Sequence, residues 1–135
     1  MAVFFRFEVF TPYRLFYADL AESVILTLAD GEIEILAHHS AFTAPVSTGV
    51  LRIKTSKGDI RSAFITSGIL EVTEVKTVLM VDAAEWPEEI NTERAITSGK
   101  QARENLETTM LKFEIEYSKE KIRRSEYRLK VAGGK

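Results

Sequence analysis

The feature that most constrains this chain is a change of texture at Asp82-Ala83-Ala84-Glu85-Trp86-Pro87. Before it, apolar residues alternate with polar ones and Gly recurs every few residues, which is the two-residue period of strands. From Trp86 to Ala132 the chain is rich in Glu, Lys, Arg, Ala and Leu, with Pro87 its one Pro and Gly99 its one Gly. Those are helix-forming residues with the breakers removed. The sequence therefore divides into a strand-rich domain, residues 1–85, and a helical arm, residues 86–135.

Within the first part, Phe5, Phe7 and Val9 alternate with Arg6 and Glu8, and Thr11-Pro12 marks a turn. Leu15 to Leu20 and Ser23 to Ala29 read as two short strands. Asp30-Gly31 signals a hairpin, with Glu32 to Leu36 pairing back. Val50 to Thr55 and Ile60 to Thr66 flank Ser56-Lys57-Gly58-Asp59, a second hairpin. Ile69 to Val75 and Lys76 to Val81 complete the set. Eight or nine strands of about six residues, with turns every 8–12 residues, predict an antiparallel β-sandwich or flattened barrel. Val78, Leu79, Met80 and Val81 are apolar on both faces, as in a central strand. The ring-rich start, Phe4, Phe5, Phe7 and Phe10, is expected to feed the core from an edge. Residues 37–42 show no period and read as a loop.

In the second part, Pro87 suits a first helical turn, where its missing N–H costs nothing. Asn91 is the alternative N-cap, with a helix from Thr92. One straight helix to Ala132 would reach roughly 60 Å at 1.5 Å per residue. It could not bury its apolar stripe on so small a domain. An antiparallel helical hairpin solves this, with Ala95, Ala102, Leu106 and Met110 on one stripe and Ile115, Ile122 and Leu129 on the other. Ala95, Ser98, Gly99 and Ala102 would let the helices approach closely. Thr108-Thr109 and Tyr117-Ser118 are weak breakers, so a hairpin and a longer extended helix are both open. Lys121, Arg124 and Arg128 share one face. Glu120, an acidic protein surface or a phosphate would offset their repulsion.

Several function classes are excluded or disfavoured. The net charge is −2 and Glu residues interleave the short basic stretch, which argues against nucleic acid. No Cys is present, so Cys-ligated metal and disulfides are out. His38 and His39 are adjacent but lack a third ligand, so no metal site is expected. No phosphate loop, His-Glu metal motif or nucleophile elbow occurs, and no catalytic residue is assigned. No apolar run of about 18 residues exists. The start, Met1-Ala2-Val3-Phe4-Phe5, lacks the form of a signal peptide, so a cytosolic protein is expected.

Three segments in order carry a resemblance: Gly31-Glu32-Ile33-Glu34-Ile35-Leu36-Ala37-His38-His39, Ser67-Gly68-Ile69-Leu70-Glu71-Val72, and Val78-Leu79-Met80-Val81-Asp82-Ala83-Ala84-Glu85. Followed by a helical pair, they resemble the epsilon subunit of bacterial F-type ATP synthase over nearly the whole chain. The family usually has Gly at Glu34 and Pro-Gly at Ala37-His38. The resemblance implies a non-catalytic rotor subunit of the central stalk, peripheral on the cytoplasmic face of the bacterial membrane. It implies gamma-subunit and c-subunit-ring contacts for the sandwich, with Glu32, His38 and His39 in the contact loop. It implies an arm that permits ATP hydrolysis when compact and blocks the alpha/beta catalytic head when extended. Ile90-Asn91-Thr92-Glu93-Arg94-Ala95 resembles the family's ATP-binding motif, with Asn91 in place of the usual Asp. Glu85, Arg124 and Arg128 match the residues that complete such sites. The implied site is thus Glu85, Ile90, Asn91, Arg94, Ala95, Arg124 and Arg128, with three guanidiniums converging on the phosphates of ATP as regulatory ligand. A free-standing nucleotide-sensing module without a rotary partner is the alternative.

Overall fold

A computed structural model describes residues 2–134 and divides at Ala84/Glu85 into two compact units. The first unit is built on strands β1 (Phe5–Phe10), β2 (Leu15–Leu28), β3 (Gly31–Leu36), β4 (Phe42–Val46), β5 (Gly49–Thr55), β6 (Ile60–Ile65), β7 (Gly68–Val72) and β8 (Lys76–Val81). The two-residue β9 (Ala84–Glu85) follows β6 in the sheet order.

The two strands expected over residues 15–29 are one. β2 runs unbroken for 14 residues, with a register shift between Ala21 and Ser23 against β5. That bulge bends the strand so that it serves two layers. Its first half pairs with β1, Phe5 opposite Ala21 through Phe10 opposite Leu15. Its second half lies between β3 and β5, with Val24 opposite both Ile35 and Ile53. At its end Leu28 meets Val46 of β4.

β4 itself begins at the last residue of the stretch that reads as a loop and runs on where no strand is expected. Pro45, which lacks the N–H a ladder uses, hides it. Its register nonetheless runs from Phe42 opposite Val72 to Val46 opposite Gly68 of β7. The sheet is also mixed rather than wholly antiparallel, because β1 runs parallel to β8 from Arg6 opposite Lys76 to Phe10 opposite Met80. Pairing β1–β8–β7–β4–β2 and back to β1 closes a flattened ring. β1 is therefore no edge: Phe7 and Val9 are fully buried, while Phe4 and Phe10 are exposed. β8 has one buried face rather than two, with Leu79 and Val81 inside and Met80 exposed.

Gly68 carries a close approach. A Cβ there would lie 1.9 Å from the Met80 carbonyl oxygen. The core consists of large apolar side chains, Phe7, Phe64, Leu26, Ile35, Leu51, Ile53, Ile65, Leu70 and Leu79 among them.

The second unit opens with a 3-10 turn, Pro87–Glu89, followed by α1 (Thr92–Thr108) and α2 (Lys112–Ala132). Both sequence signals for a helix start are used. Pro87 opens the 3-10 turn, where Glu89 Oε1 accepts from the Trp86 N–H at 2.9 Å. Asn91 Oδ1 caps α1 by accepting from the Arg94 N–H at 3.0 Å.

The helices pack antiparallel through small residues: Ala95, Gly99 and Ala102 of α1, and Ser118 and Ser125 of α2, are buried. A Cβ on Gly99 would sit 2.4 Å from Ser125 Oγ and 2.9 Å from Ser125 Cβ. Ser125 Oγ donates to the Ala95 carbonyl at 2.7 Å. The reversal falls at the first of the two weak breakers. Thr109 there donates from Oγ1 to the Glu114 carboxylate and accepts from the Leu111 N–H at 3.2 Å. This serine/threonine-type turn replaces the absent Pro or Gly. Tyr117-Ser118 lies inside α2, and Met110, expected on the buried stripe, is 93% exposed in the turn.

Candidate functional site

The residues implied for nucleotide binding belong to one unit and are placed by three of its elements. Glu85 precedes the 3-10 turn, Asn91 and Arg94 form the first turn of α1, and Arg128 stands in the last two turns of α2. Antiparallel packing is what brings the start of one helix to the end of the other.

Together with Glu89, Ala95 and Ser98, these residues line a pocket of about 300 Å³. Arg128 donates from Nε and Nη2 to the two Glu85 oxygens, both at 3.0 Å. This planar fork fixes the guanidinium as a flat wall of the pocket. Arg94 is exposed, and among the described residues no carboxylate pairs with its guanidinium. Ile90 is buried but does not line the pocket, and its N–H donates to the Pro87 carbonyl. Ala95 is buried against α2.

Arg124 does not join the other two guanidiniums. Its Nε donates to Glu120 Oε2 at 2.9 Å, four residues back on the same helix, and it is absent from the pocket wall. The three-fold convergence expected from the resemblance is thus two-fold here. A short i−4 carboxylate outcompetes a more distant cavity for this side chain. Lys121 lies over the Tyr117 ring at 5.0 Å. Every member of the basic stripe therefore finds a partner inside its own unit.

The loop carrying the His pair lies in the first unit. His38 sits at φ +66°, the left-handed region that favours Gly. The resemblance places a Gly at this position, and Gly takes such a conformation at less cost than His. His39 donates its N–H to the Leu36 carbonyl and places its ring 5.0 Å from that of Phe42. Both His residues line a second pocket of about 450 Å³ with Glu74, Val75 and Lys76. Glu32 is exposed at the neighbouring hairpin and accepts from Arg52 Nη1 at 3.1 Å. Among the described residues no group of three or more potential ligands could hold a metal ion.

Comparison with known proteins gives this geometry a context. The family model for the ATP synthase delta/epsilon chain β-sandwich domain matches residues 4–87. An ATP synthase epsilon chain from Caldicellulosiruptor bescii is 40% identical over 128 residues, covering 95% of this chain and 93% of that one. The chain belongs to the ATP synthase epsilon chain family. A further epsilon chain, from Ruminococcus albus, is 32% identical over the full length of both. The fold also matches a chain in the cryo-EM structure of the Euglena gracilis mitochondrial ATP synthase containing OSCP, F1 and the c-ring. There the TM-score is 0.83 at 16% identity, over 98% of this chain and 82% of that chain. A chain of the Tetrahymena thermophila mitochondrial ATP synthase central stalk and c-ring matches with a TM-score of 0.65 at 13% identity, over 97% and 98%. Among the described residues of this epsilon chain, no helix is long and apolar enough to cross a membrane.

Proposed function

We propose that this epsilon chain is a non-catalytic rotor subunit of the central stalk, that its sandwich contacts the gamma subunit and the c-ring, and that its helical arm restrains ATP hydrolysis. On this reading it is peripheral to the cytoplasmic face of a bacterial membrane, and Glu32, His38 and His39 belong to the contact loop. ATP is a regulatory ligand that binds the compact hairpin at Glu85, Asn91, Arg94 and Arg128, with Ala95 lining the same pocket and Ile90 buried next to Asn91 in the chain.

The observation that carries the regulatory part is the pocket itself. It needs both helices: Arg94 comes from α1 and Arg128 from α2, so an anion held by both is held only while the hairpin is closed. A ligand that binds only the closed state shifts the equilibrium toward it by RT ln(1 + [L]/Kd). The extended arm, released from the ligand, would present its α2 cations to acidic segments of the alpha/beta head.

Deleting residues 88–135 tests the proposal in the assembled synthase. Assembly and ATP synthesis are expected to survive, while ATPase activity rises or loses its dependence on nucleotide concentration. Unchanged hydrolysis under every condition would refute the inhibitory role. Failure of the intact chain to co-purify gamma would favour the free-standing sensor instead.

A further inference from the structure

The reversal between α1 and α2 is written almost entirely as helix. Only Thr109, Met110 and Leu111 separate the two, with no Gly or Pro among them. None of the three has a positive φ. Thr109 at φ −84° and Leu111 at φ −86° lie within about 25° of the helical value, so their ψ angles of 145° and 127° alone keep them extended. The helix ends lack the usual caps as well. Leu111, a poor N-cap, gives α2 no side-chain acceptor, and no Gly follows α1. One side chain ties the ends together. Thr109 Oγ1 donates to the Glu114 carboxylate and accepts from the Leu111 N–H at 3.2 Å. Thr108 does not share this task, because its hydroxyl turns back onto the Glu104 and Asn105 carbonyls of α1. The apolar pattern is also that of an unbroken helix. Leu106, Met110, Phe113 and Tyr117 follow at four, three and four positions, the spacing of one stripe. In the hairpin Met110, Phe113 and Tyr117 are instead 93%, 70% and 63% exposed.

Resting on the reading of the arm as a two-state regulatory element, we propose that the Thr109 hydroxyl is the latch of the closed hairpin, and that the arm opens by residues 109–111 turning helical and joining α1 to α2. Joining pairs the last carbonyls of α1 with the first N–H groups of α2, which the turn leaves without helical partners. It also gathers Leu106, Met110, Phe113 and Tyr117 onto one face. Against it stand the small-residue seam between the helices and the two hydrogen bonds of Thr109. Removing those bonds costs the closed state and leaves the joined helix unaffected, so the hydroxyl sets the balance between the two.

The chain has no Cys, so Ser118→Cys sets a single thiol at a seam position that is 3% exposed. Its reaction rate with a thiol reagent in the full chain reads how often the arm opens, however rarely. Adding Thr109→Val, which keeps the shape and removes the hydroxyl, is expected to raise that rate about tenfold. Thr109→Ser, which keeps the hydroxyl, should leave it unchanged. Met110→Pro tests the route. The Met110 N–H makes no hydrogen bond among the described residues, and Thr109 before it is already extended, as a residue before Pro prefers. A Pro there suits the turn and breaks a joined helix. Adding it to Thr109→Val should return labelling to the wild-type rate. Equal rates in Thr109→Val and Thr109→Ser, or no slowing by Met110→Pro, overturn the inference. In the assembled synthase, Met110→Pro alone should raise ATPase activity as deletion of residues 88–135 does. If the deletion raises hydrolysis and Met110→Pro does not, the joined helix is wrong and the regulatory arm stands. If neither raises it, both fail.

Discussion

The two units bury different kinds of surface. The sandwich encloses Phe, Leu and Ile side chains that are fully removed from water, each worth about 1.5–3 kcal/mol on burial. The hairpin is zipped by Ala95, Gly99, Ala102, Ser118 and Ser125, which bury little area and bring the backbones close instead. In proteins most of a helix's stability comes from tertiary packing, so for these helices of 17 and 21 residues the contact between them matters. A body sustained by area is hard to open. The helical pair is sustained instead by close approach, two buried hydroxyls and the one fully buried Val131, so less apolar area holds it shut.

The contrast breaks most visibly at Phe64. Phe64→Ala is expected to destabilise the sandwich by about 3–5 kcal/mol, read as a large fall in the thermal midpoint. A fall no greater than that of a hairpin substitution would erase the distinction between the units. Gly99→Ala comes next. Its Cβ meets Ser125 Cβ at 2.9 Å, a backbone-anchored atom that cannot swing away. Overpacking costs about 1–3 kcal/mol, and the better helix propensity of Ala returns about 1 kcal/mol. Amide exchange should accelerate along α1 and α2 while the sandwich midpoint stays put. Unchanged exchange in the helices would mean that the close approach is not what holds them.

The smallest effect concerns pH and the sandwich alone. Glu8 bonds Lys76 at 3.0 Å and Arg6 at 3.1 Å. These partners, Lys76 foremost, hold its carboxyl below the usual value of 4.5. Its contribution is present above that value and is lost as pH falls through the lowered one. Glu8→Gln should therefore lower neutral stability slightly, leave stability at low pH unchanged, and so flatten the acid limb of the stability curve. An acid limb identical to wild type would remove Glu8 from the account.

Local chemistry was legible in the sequence wherever one residue decides a conformation. Asp30-Gly31, the Ser56–Asp59 turn, Pro87 and the Asn91 cap all act within four residues, and each sits where its chemistry places it. What the sequence concealed depends on partners far along the chain. The continuity of β2 is enforced by β1 on one half and by β3 and β5 on the other, not by its own period. β4 exists because β7 offers it a ladder despite Pro45. Of the pocket, Asn91 and Arg94 were visible as neighbours on one helix face. The Glu85–Arg128 fork joins residues 43 apart, and only the resemblance pointed to it. Arg124 was assigned by the same resemblance, and the local pull of Glu120 on it was visible but not decisive in the sequence.

The parallel pairing of β1 with β8 carries a consequence for biosynthesis. Phe7 faces Thr77, seventy positions further along the chain, so β1 waits during synthesis for one of the last strands of its unit. Until Lys76–Val81 emerges, one flank of β1 stays without its ladder and the nascent domain carries an open seam. Closure over so long a loop is slow compared with local hairpin formation. During translation it is this seam that most invites a chaperone or a wrong neighbour.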